Sequence, residues 1–341
     1  MRAQPSDSSA ARTRSAGAAS GEQDANSAVA EAGFGSAPDL TATAPAGAVP
    51  GTASGPASSA GPRRFRGSVF EIAVPAALLA VLVLACLLAP VLPFVPDPDL
   101  GVFNGGDGEP RMGLFSAGHL LGTDALGRDL LSRSLHGGQI SILIGLGSVL
   151  VGLAVGGVIG IVAGYLGGAV DAVLMRVLDI FLAFPSLVLA LVVATYLGPS
   201  IPNLIVAIAF YSIPSYARIA RAGALAVRER DFILSARLAG ARAGHILVRH
   251  VVPRVIGSLL TYGLTICGIA IITEASLSFL GLGIEPPTPT WGNMMADGKT
   301  DLSSAPQLVL VPGFLLFLTV VSLNLLADGI RQRMDSEGSE R

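Results

Sequence analysis

Apolar runs of membrane-spanning length alternate with polar segments along most of this chain, and the alternation predicts a bundle of membrane helices. Six runs stand out, at about 72–94, 140–164, 174–197, 201–217, 255–282 and 307–330, each near the ~20 residues that a bilayer core demands of a helix. The fourth is short and carries Pro214, which removes a backbone donor where a helix would use one. Ahead of the first run, residues 1–62 are rich in Ala, Ser, Gly and Pro, with scarcely any large apolar residues. Such a composition buries too little surface to offset chain entropy, so a disordered tail is expected. It is too long and too polar for the n-region of a cleaved signal peptide. Arg63, Arg64 and Arg66 follow it as a basic anchor for the first span. The predicted organisation is a tail over 1–62, a first span with an outer segment over 63–139, a core of five spans over 140–330, and an end segment over 331–341. The fold class is an all-α polytopic membrane protein.

Two local patterns refine this picture. In the second run Ser148, Gly152, Gly156, Gly160 and Gly164 recur every four residues, a stripe that lets two helix backbones approach closely. Its expected role is helix packing. Ahead of that run, GTDALGRDLLSRSLHGG places Leu126, Leu130, Leu131 and Leu135 on one helical face, with Thr123 or Asp124 available as an N-cap. A separate amphipathic helix on the outer surface or against the bundle is expected there.

Composition agrees: the chain is 51% hydrophobic and 13% charged, with a formal net charge of −2. The sum hides an asymmetry, because the basic residues are nearly all arginine and gather in particular loops. The segment 218–254 carries Arg218, Arg221, Arg228, Arg230, Arg237, Arg242, Arg249 and Arg254 against Glu229 and Asp231, whereas 95–139 and 283–306 are acid-rich. Positive charge is retained on the cytoplasmic side during insertion. Six spans in the cell membrane with both termini cytoplasmic satisfy that rule. The arginine loop is also internally ordered: helix formers run to Ala239, Gly240 supplies a break, a second short helical run follows, and Pro253 stands where the next span is expected to start. A helix-turn-helix projecting from a bundle of spans is a docking element.

Catalytic chemistry is hard to find. Cys86 and Cys267 both lie in apolar segments, HExxH and a nucleophile elbow are absent, and the four histidines fall in loops of opposite sidedness. No metal site is expected. Asp297-Gly298-Lys299-Thr300 ends like a phosphate loop, but the position required for the first glycine is Asn293, and the segment falls on the outer side. If ATP drives this protein, another chain binds it. Ionisable residues inside spans are default candidates for function. Arg176 and Asp179, three apart, are expected to pair. Glu274 lies about twenty residues into the fifth run, near the outer face. Its carboxylate either meets a cationic group on a substrate path, such as a peptide amine, or hydrogen-bonds to a neighbouring helix or subunit.

The arginine loop, DFILSARLAGARAGHILVRHVVP, resembles the EAA loop of ABC importer permeases, in which a glycine is followed thirteen residues later by a proline, as Gly240 is by Pro253. The glutamate and first alanine of that name fall on Leu234 and Ser235, while Ala236 keeps the third position. LGTDALGRDLLSRSLHGGQIS, MRVLDIFLAFPSLVLAL and EASLSFLGLGIEPPTPTWGNMM extend the similarity to the peptide and nickel branch, specifically to dipeptide/oligopeptide permease C subunits, over about Val69 to Asp335. The resemblance implies a type I ABC importer permease architecture and no enzymatic activity in this chain. It implies a homologous second permease subunit, two cytoplasmic subunits that bind ATP and Mg, and an extracytoplasmic binding protein, with no cofactor bound by this chain and no nucleic-acid partner. The coupling residues it points to are Asp231, Ser235, Ala236, Arg237, Gly240, Ala241 and Pro253, with Gly240 as pivot and Arg237 facing an acidic groove on the ATPase. The expected cargo is di- or oligopeptides. The alternatives are nickel or another small solute, a stand-alone secondary transporter built on helices broken at Pro185 and Pro214, and, disfavoured, an intramembrane enzyme.

Overall fold

The computed structural model describes residues 69–338 except Ala117; the tail and its arginine anchor lie outside the described residues. Within them the chain is helical apart from turns and two isolated β-bridges. Ten α-helices follow in order: α1 Val69–Leu88, α2 Leu130–Leu166, α3 Gly168–Leu182, α4 Ser186–Leu197, α5 Ile201–Arg228, α6 Asp231–Leu238, α7 Ala243–Ile246, α8 Val252–Phe279, α9 Trp291–Gly298 and α10 Gln307–Gly338. Five helical stretches are long and apolar enough to cross a membrane, or six if α3 and α4 together count as one broken span. Bare helices suit that setting because each backbone polar group is satisfied within its own segment.

The structure redraws four expectations, each for an identifiable reason. The amphipathic segment is not a separate helix. Nothing between Leu130 and Ile140 breaks the backbone pattern, so α2 runs for 37 residues, roughly 56 Å at 1.5 Å per residue, and its first turns project beyond the bilayer core. Its N-cap is Asp129, whose side chain accepts from the Ser132 amide. Asp124 instead folds the preceding turn by accepting from the Leu126 and Arg128 amides.

The third run is not one straight span: α3 and α4 meet at 86°. Pro185 disfavours helical angles at Phe184 and itself sits in an extended conformation as the N-cap of α4. Pro214 does not end α5, which continues for 28 residues with that proline buried in its middle, because neighbouring helices hold it in place. As a result Arg218, Arg221 and Arg228 belong to a helix instead of a loop. Finally, Pro253 stands in the first turn of α8, as expected, but no break precedes it. A π-helical turn over Leu247–Val251 joins α7 to α8, so Ala243–Phe279 forms one stretch of 37 residues. The wider turn accommodates the proline's missing N–H without a break.

α2 is the central helix, packed mainly along α5 and then against α8, while α1 and α10 run side by side on the flank. The main core gathers Val149, Ile161, Tyr216, Leu259, Ile266 and Trp291, and a second cluster joins Ile144, Leu204, Ile208 and Leu277. Outward positions of α1 carry Phe70, Val74, Val81, Leu84 and Leu87, all exposed. An apolar outer surface is what lipid contact requires.

Candidate functional site

The arginine loop is pinned to one end of the bundle. Ile233 on α6, Ile246 on α7 and Val251 in the π turn are fully buried in the main core, so both short helices are held by apolar anchors. Asp231 stands in the first turn of α6 and Arg237 in its last, each favourable to the helix dipole. The helix closes in a Schellman motif: the Gly240 amide donates to the Arg237 carbonyl at 2.9 Å, and the Ala241 amide to the Ala236 carbonyl at 3.0 Å. That motif requires the left-handed φ of +81° that Gly240 adopts. Ser235 is exposed and its hydroxyl donates back to the Asp231 carbonyl, whereas Ala236 and Ala241 pack on the core.

Two arginines stack on rings. The Arg237 guanidinium lies 5.0 Å from the centroid of Tyr165 on α2, and that of Arg254 lies 3.8 Å from the centroid of Phe232. Arg237 is thus engaged with its own chain, although its position on α6 remains exposed. Beside this pair, Arg230, Asp231, Phe232 and Arg254 border a cavity of about 610 Å³. Leu234, Leu238 and Val248 point outward with exposures of 56%, 81% and 71%. These three side chains place apolar surface on an otherwise charged loop.

Other arginines counted with the loop are paired elsewhere. Arg221 grips Asp171 through two hydrogen bonds of 2.5 and 2.6 Å, and Arg218 reaches Asp179 at 2.7 Å. Asp179 therefore pairs across to α5 and not with Arg176, because α3 turns that face towards α5. Both bridges fasten α3 beside the loop end.

The glycine stripe faces α5. A Cβ on Gly152, Gly156, Gly160 or Gly164 would run into Ser212 or into the Ile213, Ala217 and Arg221 carbonyls respectively. Side chains on α5 opposite the stripe are small, with Ala217, Ala220 and Ala224 all buried. The loop-bearing helix thus lies backbone to backbone with the central span.

Glu274 lies at the far end of α8 and is completely buried. Its carboxylate accepts from Ser141 on α2 at 2.9 Å and from Ser278 at 2.7 Å, and the Trp291 amide of α9 donates to the same Ser141 hydroxyl at 3.2 Å. It meets a neighbouring helix, and hydroxyls from α2 and α8 enclose its carboxylate. Glu274→Leu is expected to cost about 1–3 kcal/mol by leaving buried hydroxyls without their acceptor, while Glu274→Gln keeps an acceptor and costs less. Thermal melting of the detergent-solubilised protein checks the order wild type, Gln, Leu; equal midpoints would remove this cage from the list of stabilising contacts.

Tyr165, Ile233 and Ile246 were not singled out by the sequence, yet they fix the loop. The apolar spacing of Ile233 and Ile246 about the Gly240 break was the available signal.

The loop end also holds the start of α1 and the end of α10, since Gly329 abuts Ile72 and Glu71, and Met334 lies beside Thr261 and Gly257 near the start of α8. A multi-pass bundle of apolar helices with a partly apolar helix pair packed at one end is the architecture of a polytopic membrane protein. Residues 156–336 match the family described as binding-protein-dependent transport system inner membrane component, and this chain belongs to it. It is similar to the glutathione transport system permease protein GsiD of Pectobacterium atrosepticum, with 43% identity over 64% of this chain and 73% of that protein. GsiD of Escherichia coli O6:K15:H31 and of Shigella boydii serotype 4 are each 40% identical over 80% of this chain and 88% of theirs. The chain is an ABC importer permease subunit of the peptide and nickel branch, in a type I permease fold and integral to the inner membrane. Membership sets aside the stand-alone secondary transporter and the intramembrane enzyme.

Proposed function

We propose that this subunit carries small peptides inward, driven by ATP that separate subunits bind and hydrolyse. The observation that carries the reading is the lever: α6, the Gly240 turn and α7 form one docked unit, and α7 continues without a break into the 37-residue stretch that ends at Phe279. A push on the exposed Leu234, Leu238 and Val248 surface is delivered along that stretch to Glu274 at the far end. The arginine-rich end faces the cytoplasm by the positive-inside rule, so both ends of the described chain are cytoplasmic. A homologous permease subunit completes the translocation path, two ATPase subunits with ATP and Mg engage the loop, and a binding protein delivers cargo to the far end. Arg237, held by Tyr165, presents its charge at the edge of that docking surface.

Peptide cargo is supported by the name of the relatives, because glutathione is a tripeptide. The test is uptake by the complete complex in proteoliposomes, with ATP inside the lumen where the ATPases face. Labelled glutathione and dipeptides should accumulate and compete with one another, and free amino acids should not compete. Nickel accumulation without peptide uptake would move the cargo to the metal side of the same branch.

A further inference from the structure

At the far end of the bundle lies a cavity of about 260 Å³ that the lever does not use. It opens between the turn before α2, the α9 helix and the start of α10. Apolar walls come from Leu126, Met294 and Leu308, and charged groups from Asp124, Arg128, Arg133 and Asp297.

The charges do not balance. Arg128 is committed to Asp124, with Nε donating to Oδ2 at 2.7 Å. The Arg133 side chain is only 3% exposed, and its Nη1 donates to the Pro98 carbonyl at 3.2 Å and to Asp99 at 3.3 Å, with Asp124 3.5 Å from its Nε. Asp297, on the exposed end of α9, takes no hydrogen bond on its carboxylate and no close ion pair among the described residues. Two arginines therefore face three aspartates. The hollow next to it repeats the deficit: Glu285 and Asp297 line it with Lys299, and the Lys299 ammonium sits 5.2 Å from the Phe279 ring centroid. Arg111, the remaining arginine of this end, is taken by Asp301 at 3.0 Å. Among the described residues these named bases are each engaged by another group, and Asp297 is the carboxylate at the cavity left without a close cation.

A cavity with an apolar wall and a single unmet carboxylate at its mouth fits a long aliphatic stem that ends in a positive charge. The family to which this chain belongs works with a binding protein, and the end opposite the arginine loop is where that protein arrives. We propose that this cavity is a socket for a lysine or arginine side chain of the binding protein, with its charge on Asp297 and its stem along Leu126 and Met294. The inference rests on the orientation given under the proposed function. Such a contact sets the register of docking and the rate of encounter, as charges at interface rims do.

The test uses the complete complex in proteoliposomes, with uptake measured against the concentration of cargo-loaded binding protein. Asp297→Asn should raise the half-saturating concentration roughly tenfold, and Asp297→Lys further, with the rate at saturation retained. Raising ionic strength should weaken the wild type more steeply than Asp297→Asn, because one screened pair is gone. Leu126→Trp, which fills the cavity without touching the charge, should raise the half-saturating concentration and leave the salt dependence of the wild type in place. Half-saturation unmoved in Asp297→Lys would overturn the socket. So would a change confined to the peptide concentration dependence at saturating binding protein, which would mark a cargo site instead. Because the readout is binding-protein concentration, nickel in place of peptide as cargo leaves the test intact. Wild-type uptake that ignores the binding protein altogether would instead defeat the proposed function.

Discussion

Gly240→Val is expected to leave the complex assembled in the membrane at near-normal abundance and to remove most substrate-stimulated ATP hydrolysis. The reason is local. Gly240 holds φ at +81°, and a Cβ built there meets nothing within 4 Å, so the substitution brings backbone strain with no clash. Left-handed angles cost an ordinary residue about 1–2 kcal/mol, and a β-branched one tolerates them poorly. Relief of that strain opens the Schellman bonds from Gly240 to Arg237 and from Ala241 to Ala236, and α7 then leaves its seat. The α2–α5 packing at the centre of the bundle is untouched, because it and Ile233 lie on the other side of the turn. Hydrolysis and uptake measured in the same proteoliposomes separate the outcomes: loss of both means failed docking, and hydrolysis without uptake means failed transmission. Wild-type values for both would show that the loop is not the lever.

Gly156→Leu is expected to do the reverse, destroying assembly while leaving the loop sequence intact. A Cβ at Gly156 already collides with the Ile213 carbonyl and crowds the Tyr216 side chain. A backbone carbonyl cannot rotate aside as a side chain can, so α5 must withdraw from α2. Overpacking of a tight core costs about 1–3 kcal/mol, and more where backbone must move. Close approach is also what holds helices together in lipid, where no hydrophobic drive assists. The expected readout is a low yield of complex and a depressed melting temperature. Gly157→Leu is the matched control, because a Cβ there meets only leucine methyl groups at 3.6 and 3.8 Å. Normal yield and melting in Gly156→Leu would mean that this face can part from α5 at no cost.

Read along the chain alone, the residues already disclose a polytopic membrane protein and the number and order of its apolar runs. These follow from hydropathy, which acts along the chain and needs no knowledge of neighbours. The sequence also located the Gly240 turn and the glycine stripe, because glycine is the residue that left-handed angles and touching backbones select. Where the prolines act depends on packing in three dimensions. Pro185 ends a helix at an exposed bend, Pro214 is carried through in a buried one, and Pro253 is absorbed by a π turn. The same ring gives three outcomes because the cost of a lost hydrogen bond depends on what packs around it. The ion pairs were likewise undecided along the chain: Asp179 had Arg176 one turn away and took Arg218 from α5. The same holds for Glu274, whose enclosing hydroxyl Ser141 lies on α2. Partners distant in sequence are chosen by which helix faces are brought together, and that is fixed by packing α5 and α8 against α2 and not by any local pattern.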